Sequence, residues 1–103
     1  MQQLIQHDLD MLTAKRVVDH AFEAYRLRFP EYQPSLRWAD DRRAEASFNA
    51  KGVKLHGSLL IGATSITLDL DVPFFLRPFQ KRALEVIERE VRAWLDKARA
   101  GEI

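Results

Sequence analysis

The chain has 103 residues, of which 47% are hydrophobic and 30% charged, and its net charge is +1. These values predict a single globular domain over residues 1–103 and argue against a disordered chain or one held to nucleic acid by overall charge. With no cysteines, the chain has no disulfide framework and no thiol chemistry. It shows neither a secretory signal nor an apolar run of about 18 residues, so we expect a cytoplasmic protein without a transmembrane segment.

The N-terminal third predicts one helix. The stretch "QQLIQHDL" alternates poorly and is a candidate for an additional N-terminal strand only. From Thr13, the predicted N-cap, apolar residues recur every three or four positions, which indicates an amphipathic helix. The helix is expected to end near Phe29, because Pro30 disfavours helical geometry in the residue before it.

The middle third predicts four antiparallel strands joined by short turns. Apolar and polar residues alternate with a period of two, which is typical of strands with one buried and one solvated face. The predicted strands cover residues 36–38, 44–50, 53–61 and 66–72, with Gly52, Gly57 and Gly62 expected at turns or bulges. A second amphipathic helix follows, with Pro78 in its first turn and Gly101 as its stop.

These elements define the predicted fold class, α+β. Four antiparallel strands, with a fifth candidate at the N-terminus, expose one apolar face that two amphipathic helices on that face would cover. A bent sheet that holds the C-terminal helix, a helix-grip-like arrangement, is the variant we expect.

The segment "VPFFLRPFQKR" is the main candidate for a functional surface. A short nonhelical segment cannot easily bury three consecutive large side chains on one side, so we expect Phe74 or Phe75 to remain partly exposed. An apolar surface beside cations suits a protein contact or an interface. The alternative is that these side chains plug the core, with Phe79 the residue most expected there. The candidate binding residues are Phe74, Phe75, Leu76, Arg77, Lys81 and Arg82.

Two other groups of polar residues are candidates for a site, with a simple solvated surface as the alternative. His56, Asp69 and Asp71 fall on the polar faces of neighbouring strands, where a metal or acid–base site would need them to meet. No ligand motif surrounds them, and no nucleophile or cofactor motif occurs in the chain, so we predict no enzyme, no metal and no cofactor. A basic group lacks the interleaved exposed aromatics of a nucleic-acid surface, so no nucleic acid is expected. Its members are Arg37, Arg42, Arg43, Lys51 and Lys54.

The stretch from "GVKLHG" through "VPFFLRPF" to the closing helix resembles the polyhydroxyalkanoic acid system proteins, and "LRWADD" and the helix from Thr13 extend the similarity over nearly the whole chain. The resemblance implies a role in storage-granule metabolism, at the granule surface or with a partner protein. It implies no chemistry carried by named residues.

Three hypotheses remain open from the sequence. The first is a non-enzymatic accessory protein that binds a granule or a partner protein through the apolar turn. The second is a carrier of an acyl chain, with a pocket of at least ~300 Å³ between the sheet and the second helix. Its lining would be Trp38, Phe48, Leu68 and Trp94. The third is an enzyme that uses His56 with Asp69 and Asp71. A homodimer formed through an open edge strand is compatible with all three.

Overall fold

A computed structural model describes residues 1–103 and contains two helices and a five-stranded antiparallel sheet. The elements in chain order are β1 (Gln2–Gln6), α1 (Met11–Arg28), β2 (Ser35–Trp38), β3 (Arg43–Ala50), β4 (Val53–Ile61), β5 (Ser65–Asp71) and α2 (Arg77–Arg99). Short 3₁₀ turns at Pro30–Tyr32 and Phe74–Leu76 follow α1 and β5. The α+β class is confirmed, and the helix-grip-like variant stays a prediction.

The strand order is β1-β5-β4-β3-β2, so consecutive strands pair from β2 to β5 and β1 returns to the edge beside β5. The candidate N-terminal strand is therefore a full member of the sheet. Its alternation is weak because only Ile5 is fully buried among its five residues, while Gln3 donates a hydrogen bond to Glu88 of α2. An edge strand with a single core residue leaves little hydrophobic periodicity in the sequence.

Both helices cover the same face of the sheet. The buried residues of α1 and α2 follow the three- and four-residue spacing that the sequence predicts, and they pack against the inward residues of the strands in one hydrophobic core. The opposite face of the sheet carries the polar residues that alternate with them. The strands, which carry the period-two pattern, and the helices, which carry the period-3.6 pattern, thus pack together as a two-layer sandwich.

Two local predictions are wrong. Asp10, not Thr13, is the N-cap of α1: its carboxylate accepts a hydrogen bond from the Thr13 backbone N–H at 2.8 Å. Gly57 lies in the regular ladder of β4 opposite Leu70 and marks no bulge. A Cβ at this position would lie 2.7 Å from the Asp69 carbonyl oxygen, so close backbone approach explains the glycine.

Candidate functional site

The segment after β5 forms a compact turn that separates its apolar side chains. The Leu76 backbone N–H donates to the Pro73 carbonyl oxygen at 2.8 Å and closes one 3₁₀ turn. Phe74 and Phe75 then point outward with 78% and 54% of their surface exposed, whereas Leu76 is only 2% exposed. The expected exposure of at least one of these phenylalanines is confirmed. Their rings contact each other edge to face, with centroids 6.1 Å apart.

Leu76 does not belong to the contact surface that the sequence predicts. It is part of the hydrophobic core, and it holds the turn against the body of the protein. A second contact lies one helical turn later in the chain. There, the buried Gln80 side chain donates a hydrogen bond to the Leu70 carbonyl oxygen at the end of β5. Leu76 and Gln80, both C-terminal to the phenylalanines, thus attach the start of α2 to the core and to the end of β5, and Phe74 and Phe75 are exposed on an anchored turn.

The cations of this segment are free of intramolecular ion pairs. None of the salt bridges of the structure involves Arg77, Lys81 or Arg82, although seven other cationic groups are paired with carboxylates. The start of α2 has no side-chain cap and no acidic residue in its first turn. Its backbone N–H groups therefore add to the positive potential. We name the exposed residues Phe74, Phe75, Arg77, Lys81 and Arg82 the turn surface.

Beside the turn surface lie two adjoining depressions, which we call together the aromatic groove. The larger holds about 400 Å³ and lies between the turn, the Pro30–Tyr32 segment and the β3–β4 turn at Ala50 and Lys51. The smaller holds about 210 Å³ and reaches between α1 and α2. Three residues, Tyr32, Phe79 and Arg82, line both depressions.

Five of the twelve residues that line this groove are aromatic. Tyr32 and Phe79 meet edge to face at 4.8 Å, and Tyr25 and Phe29 lie 5.1 Å apart. Phe79, expected in the core, is half-buried and packs against the core while also facing the groove. Apart from Phe79 and the turn residues, the groove lining was missed by sequence reasoning. The spacing of Tyr25, Phe29 and Tyr32 at the end of α1 was the available signal.

The four residues of the predicted acyl pocket do not come together. Phe48 and Leu68 line a cavity of about 20 Å³ between the sheet and α2, room for a single water molecule and not for an acyl chain. Trp38 and Trp94 lie elsewhere, each against α1: the Trp38 indole N–H donates to Asp19, and the Trp94 ring stacks on His20. The packing between sheet and helix therefore does not support the carrier hypothesis.

The three residues of the hypothetical enzyme site are neighbours on the outer face of the sheet. His56 lies opposite Asp71 in the β4–β5 ladder, and Asp69 lies opposite Ser58. The carboxylates already hold a cation: the Met1 ammonium group donates to Asp71 at 2.8 Å and lies 3.6 Å from Asp69. The hydrogen bond to Asp71 raises the pKa of this ammonium group above its usual value. No group of three ligating side chains in the structure could hold a metal ion.

The members of the basic group differ in their surroundings. Arg37 forms a salt bridge with Glu45 at 2.9 Å, and the backbone N–H groups of Arg42 and Arg43 donate hydrogen bonds to the Asp40 carboxylate. Lys51 lies at the aromatic groove. Phe48 is buried on the inner face, away from these cations. The arrangement lacks the stacked aromatic and basic pattern of a nucleic-acid surface.

The sequence matches the model of the polyhydroxyalkanoic acid system protein family over residues 4–97. The chain belongs to this family. Its membership confirms the resemblance and associates the protein with the polyhydroxyalkanoic acid system. A search of curated proteins returned no match. No helix in the structure combines the length and the apolar composition needed to cross a membrane.

Proposed function

We propose that this polyhydroxyalkanoic acid system protein is a non-enzymatic accessory protein that binds the surface of the storage polyester through the turn surface. The observation that carries the proposal is the exposure of Phe74 and Phe75 on an anchored turn beside three cations without intramolecular partners. The cytoplasmic location and a homodimer through an open sheet edge at β1 or β2 belong to the same proposal, as predictions.

The chemistry of the polymer complements this surface. A polyester of hydroxyalkanoic acids presents apolar alkyl groups and ester carbonyl oxygens, and along the chain it has acceptors but no N–H donors. Phe74 and Phe75 offer apolar area, while Arg77, Lys81 and Arg82 carry only donors. Each part of the turn surface therefore has a counterpart in the polymer.

The expected binding is modest for one copy of the protein. Full burial of a phenylalanine side chain contributes about 1.5–3 kcal/mol, so the surface that Phe74 and Phe75 still expose offers roughly 2–4 kcal/mol before the cost of immobilising the protein. That range lies below the binding energy of a single lipid anchor, which itself becomes stable only with a second signal such as a polybasic group. The unpaired cations of the turn surface supply that second contribution.

The test is co-sedimentation of the protein with protein-free polyhydroxyalkanoate particles. The variant Phe74→Ser with Phe75→Ser should lose at least tenfold in bound fraction and keep the unfolding transition of the parent. The matched control is Leu4→Ser with Leu12→Ser, which removes two comparably exposed leucines, 57% and 71%, from other elements. The control should bind the particles as the parent does.

Three results would count against the proposal. Unchanged binding by the double serine variant would place the contact elsewhere, and its unfolding would show that the phenylalanines act as a core plug. Binding to native granules without binding to protein-free particles would point to a protein partner as the occupant of the turn surface.

A further inference from the structure

Among the polar side chains that line the aromatic groove, Arg82 and Tyr25 have no partner in the chain, and Lys51 and Tyr32 line the groove as well. Arg82 lines both depressions and forms no salt bridge. Tyr25 lines the smaller depression and is 2% exposed. A guanidinium and a phenol that line the same largely apolar depression are what an amphipathic ligand requires for orientation.

The Tyr25 hydroxyl is the more informative of the two groups. None of the side-chain hydrogen bonds of the structure involves it, yet no fully buried side-chain oxygen lacks a partner. The hydroxyl oxygen must therefore retain contact with the groove. Burial raises the pKa of Tyr25 far above its ordinary value, so this hydroxyl remains a hydrogen-bond donor at neutral pH.

The charge of the groove favours an anion in front of Arg82. Lys51 adds a second cation without a salt bridge at the rim of the larger depression. One acidic residue, Glu31, lies near enough to act on Tyr25, but it is exposed on the Pro30–Tyr32 turn and forms no ion pair with Arg82. The guanidinium thus remains available for a carboxylate, which it can bind with two parallel hydrogen bonds.

We propose that the aromatic groove binds the carboxylate end of a hydroxyalkanoate chain, with the carboxylate at Arg82 and the alkyl groups against Tyr32 and Phe79. The Tyr25 hydroxyl donates to an oxygen of the same chain. The proposal rests on the proposed function and deepens it, because the turn surface would contact the polymer body while the groove selects free chain ends or released short chains. The volumes of about 400 and 210 Å³ suit a few monomer units.

The test uses a short, soluble linear hydroxyalkanoate oligomer with a free carboxylate and the methyl ester of the same oligomer. Binding to the full chain is followed by NMR chemical-shift titration. The parent protein should bind the acid at least tenfold more tightly than the ester. Arg82→Gln should remove that preference, whereas Arg16→Gln, a change at an exposed cation of α1 without a salt bridge, should keep it.

A second variant tests the hydroxyl without changing the shape of the groove. Tyr25→Phe should weaken binding of the oligomer several-fold and leave urea unfolding unchanged, because the hydroxyl has no partner in the chain. Equal affinity of the parent for acid and ester, a retained preference in Arg82→Gln, or no binding at all would each overturn the proposal.

The two proposals can fail separately. Phe74 does not line the groove, and Tyr25 does not belong to the turn surface. Phe74→Ser should therefore lower particle binding and spare the oligomer, while Tyr25→Phe should do the reverse. If the protein binds particles but not the oligomer, the groove proposal is wrong and the proposed role of the turn surface stands. If it binds the oligomer but not particles, the proposed role at the polymer surface is wrong.

Discussion

Aromatic side chains reach the surface in two regions of this molecule, and their surroundings differ. In the region beside α1, both tryptophans are covered by polar groups. The Trp38 indole N–H donates to Asp19 at 2.7 Å, and the Lys15 ammonium group lies 4.9 Å from the centre of the Trp38 ring. The Trp94 ring stacks on His20 at 4.4 Å and receives the Lys97 ammonium group at 4.1 Å.

In the region after β5, no such cover exists. Phe74 and Phe75 have only each other as aromatic partners, and neither has a cation placed over its ring. The neighbouring cations form no salt bridge with a carboxylate of the chain. The tryptophans find polar partners within the chain, whereas Phe74 and Phe75 do not. Comparable contacts at the turn surface would have to come from another molecule. The contrast between completed and unsatisfied contacts, rather than exposure alone, supports our proposal that the turn surface is the binding region.

The largest effect should come from the residue that supports the turn. Leu76→Ala removes a fully buried side chain and should destabilise the protein by about 2–5 kcal/mol. Phe74→Ala, two positions away, should change the free energy of unfolding by no more than about 0.5 kcal/mol, since its ring is exposed. Urea denaturation measures both. Equal losses of stability in the two variants would contradict the distinction between Leu76 as a core residue and Phe74 as a surface residue.

The next effect separates the two aromatic regions. Trp94→Ala removes a half-buried ring that packs on the core and should cost roughly 2 kcal/mol of stability. Particle binding by the folded variant should match that of the parent, because Trp94 lies outside the turn surface and the aromatic groove. If Trp94→Ala is folded but no longer binds the particles, the region beside α1 also contacts the polymer.

A smaller effect tests the polar cover itself. Trp38→Phe keeps an aromatic ring but removes the N–H that donates to Asp19, and it should cost about 1 kcal/mol. A double-mutant cycle with Asp19→Ala in urea denaturation should give a coupling energy of similar size. Additive effects of the two substitutions would mean that the contact does not stabilise the fold.

The smallest effect concerns the starts of the two helices, one capped and one open. Asp10 caps α1, and the hydrogen bonds from the Thr13 backbone and side chain hold the pKa of its carboxyl below the usual 3.8. A depressed pKa in the folded state means that the stabilisation is complete above pH ~4 and disappears as the pH falls through the folded-state pKa. Asp10→Asn should therefore differ from the parent in thermal unfolding at pH 6 and approach it near pH 3.

A pH-independent difference between Asp10→Asn and its parent would contradict the role of the ionised cap. The start of α2, which has no side-chain cap, should contribute no such acid-dependent term.

Sequence reasoning succeeded where one element carries its own pattern. The spacing of Val17, Val18 and Ala21 predicts the buried face of α1, and the alternation in β3 to β5 predicts which side chains enter the core. The exposure of at least one of Phe74 and Phe75 was also predictable, because three adjacent large side chains cannot all turn inward; the structure exposes both. The weak strand β1 was only a candidate, since its pairing with β5 depends on residues 59 to 67 positions away in the chain.

The aromatic groove could not be predicted because it has no pattern within one element. Its walls come from the end of α1, the turn after it, the β3–β4 turn and the start of α2. The sequence also assigned Leu76 to the surface with its neighbours, since adjacency along the chain does not reveal the 3₁₀ turn that rotates it inward. The sequence also predicted both tryptophans in an acyl pocket between the sheet and α2. Close packing leaves a cavity of only about 20 Å³ there, and neither tryptophan lines it.

The sequence by itself determined the α+β class, the two amphipathic helices and the presence of an apolar segment that cannot be wholly buried, because local periodicity and the size of adjacent side chains are properties of the chain. Only the tertiary structure decided which of these side chains is core, which aromatic rings are covered, and that Tyr25 and Arg82 line the same depression. Those outcomes depend on contacts between distant elements. The residues that we propose to bind the polymer are the ones that such contacts leave without partners.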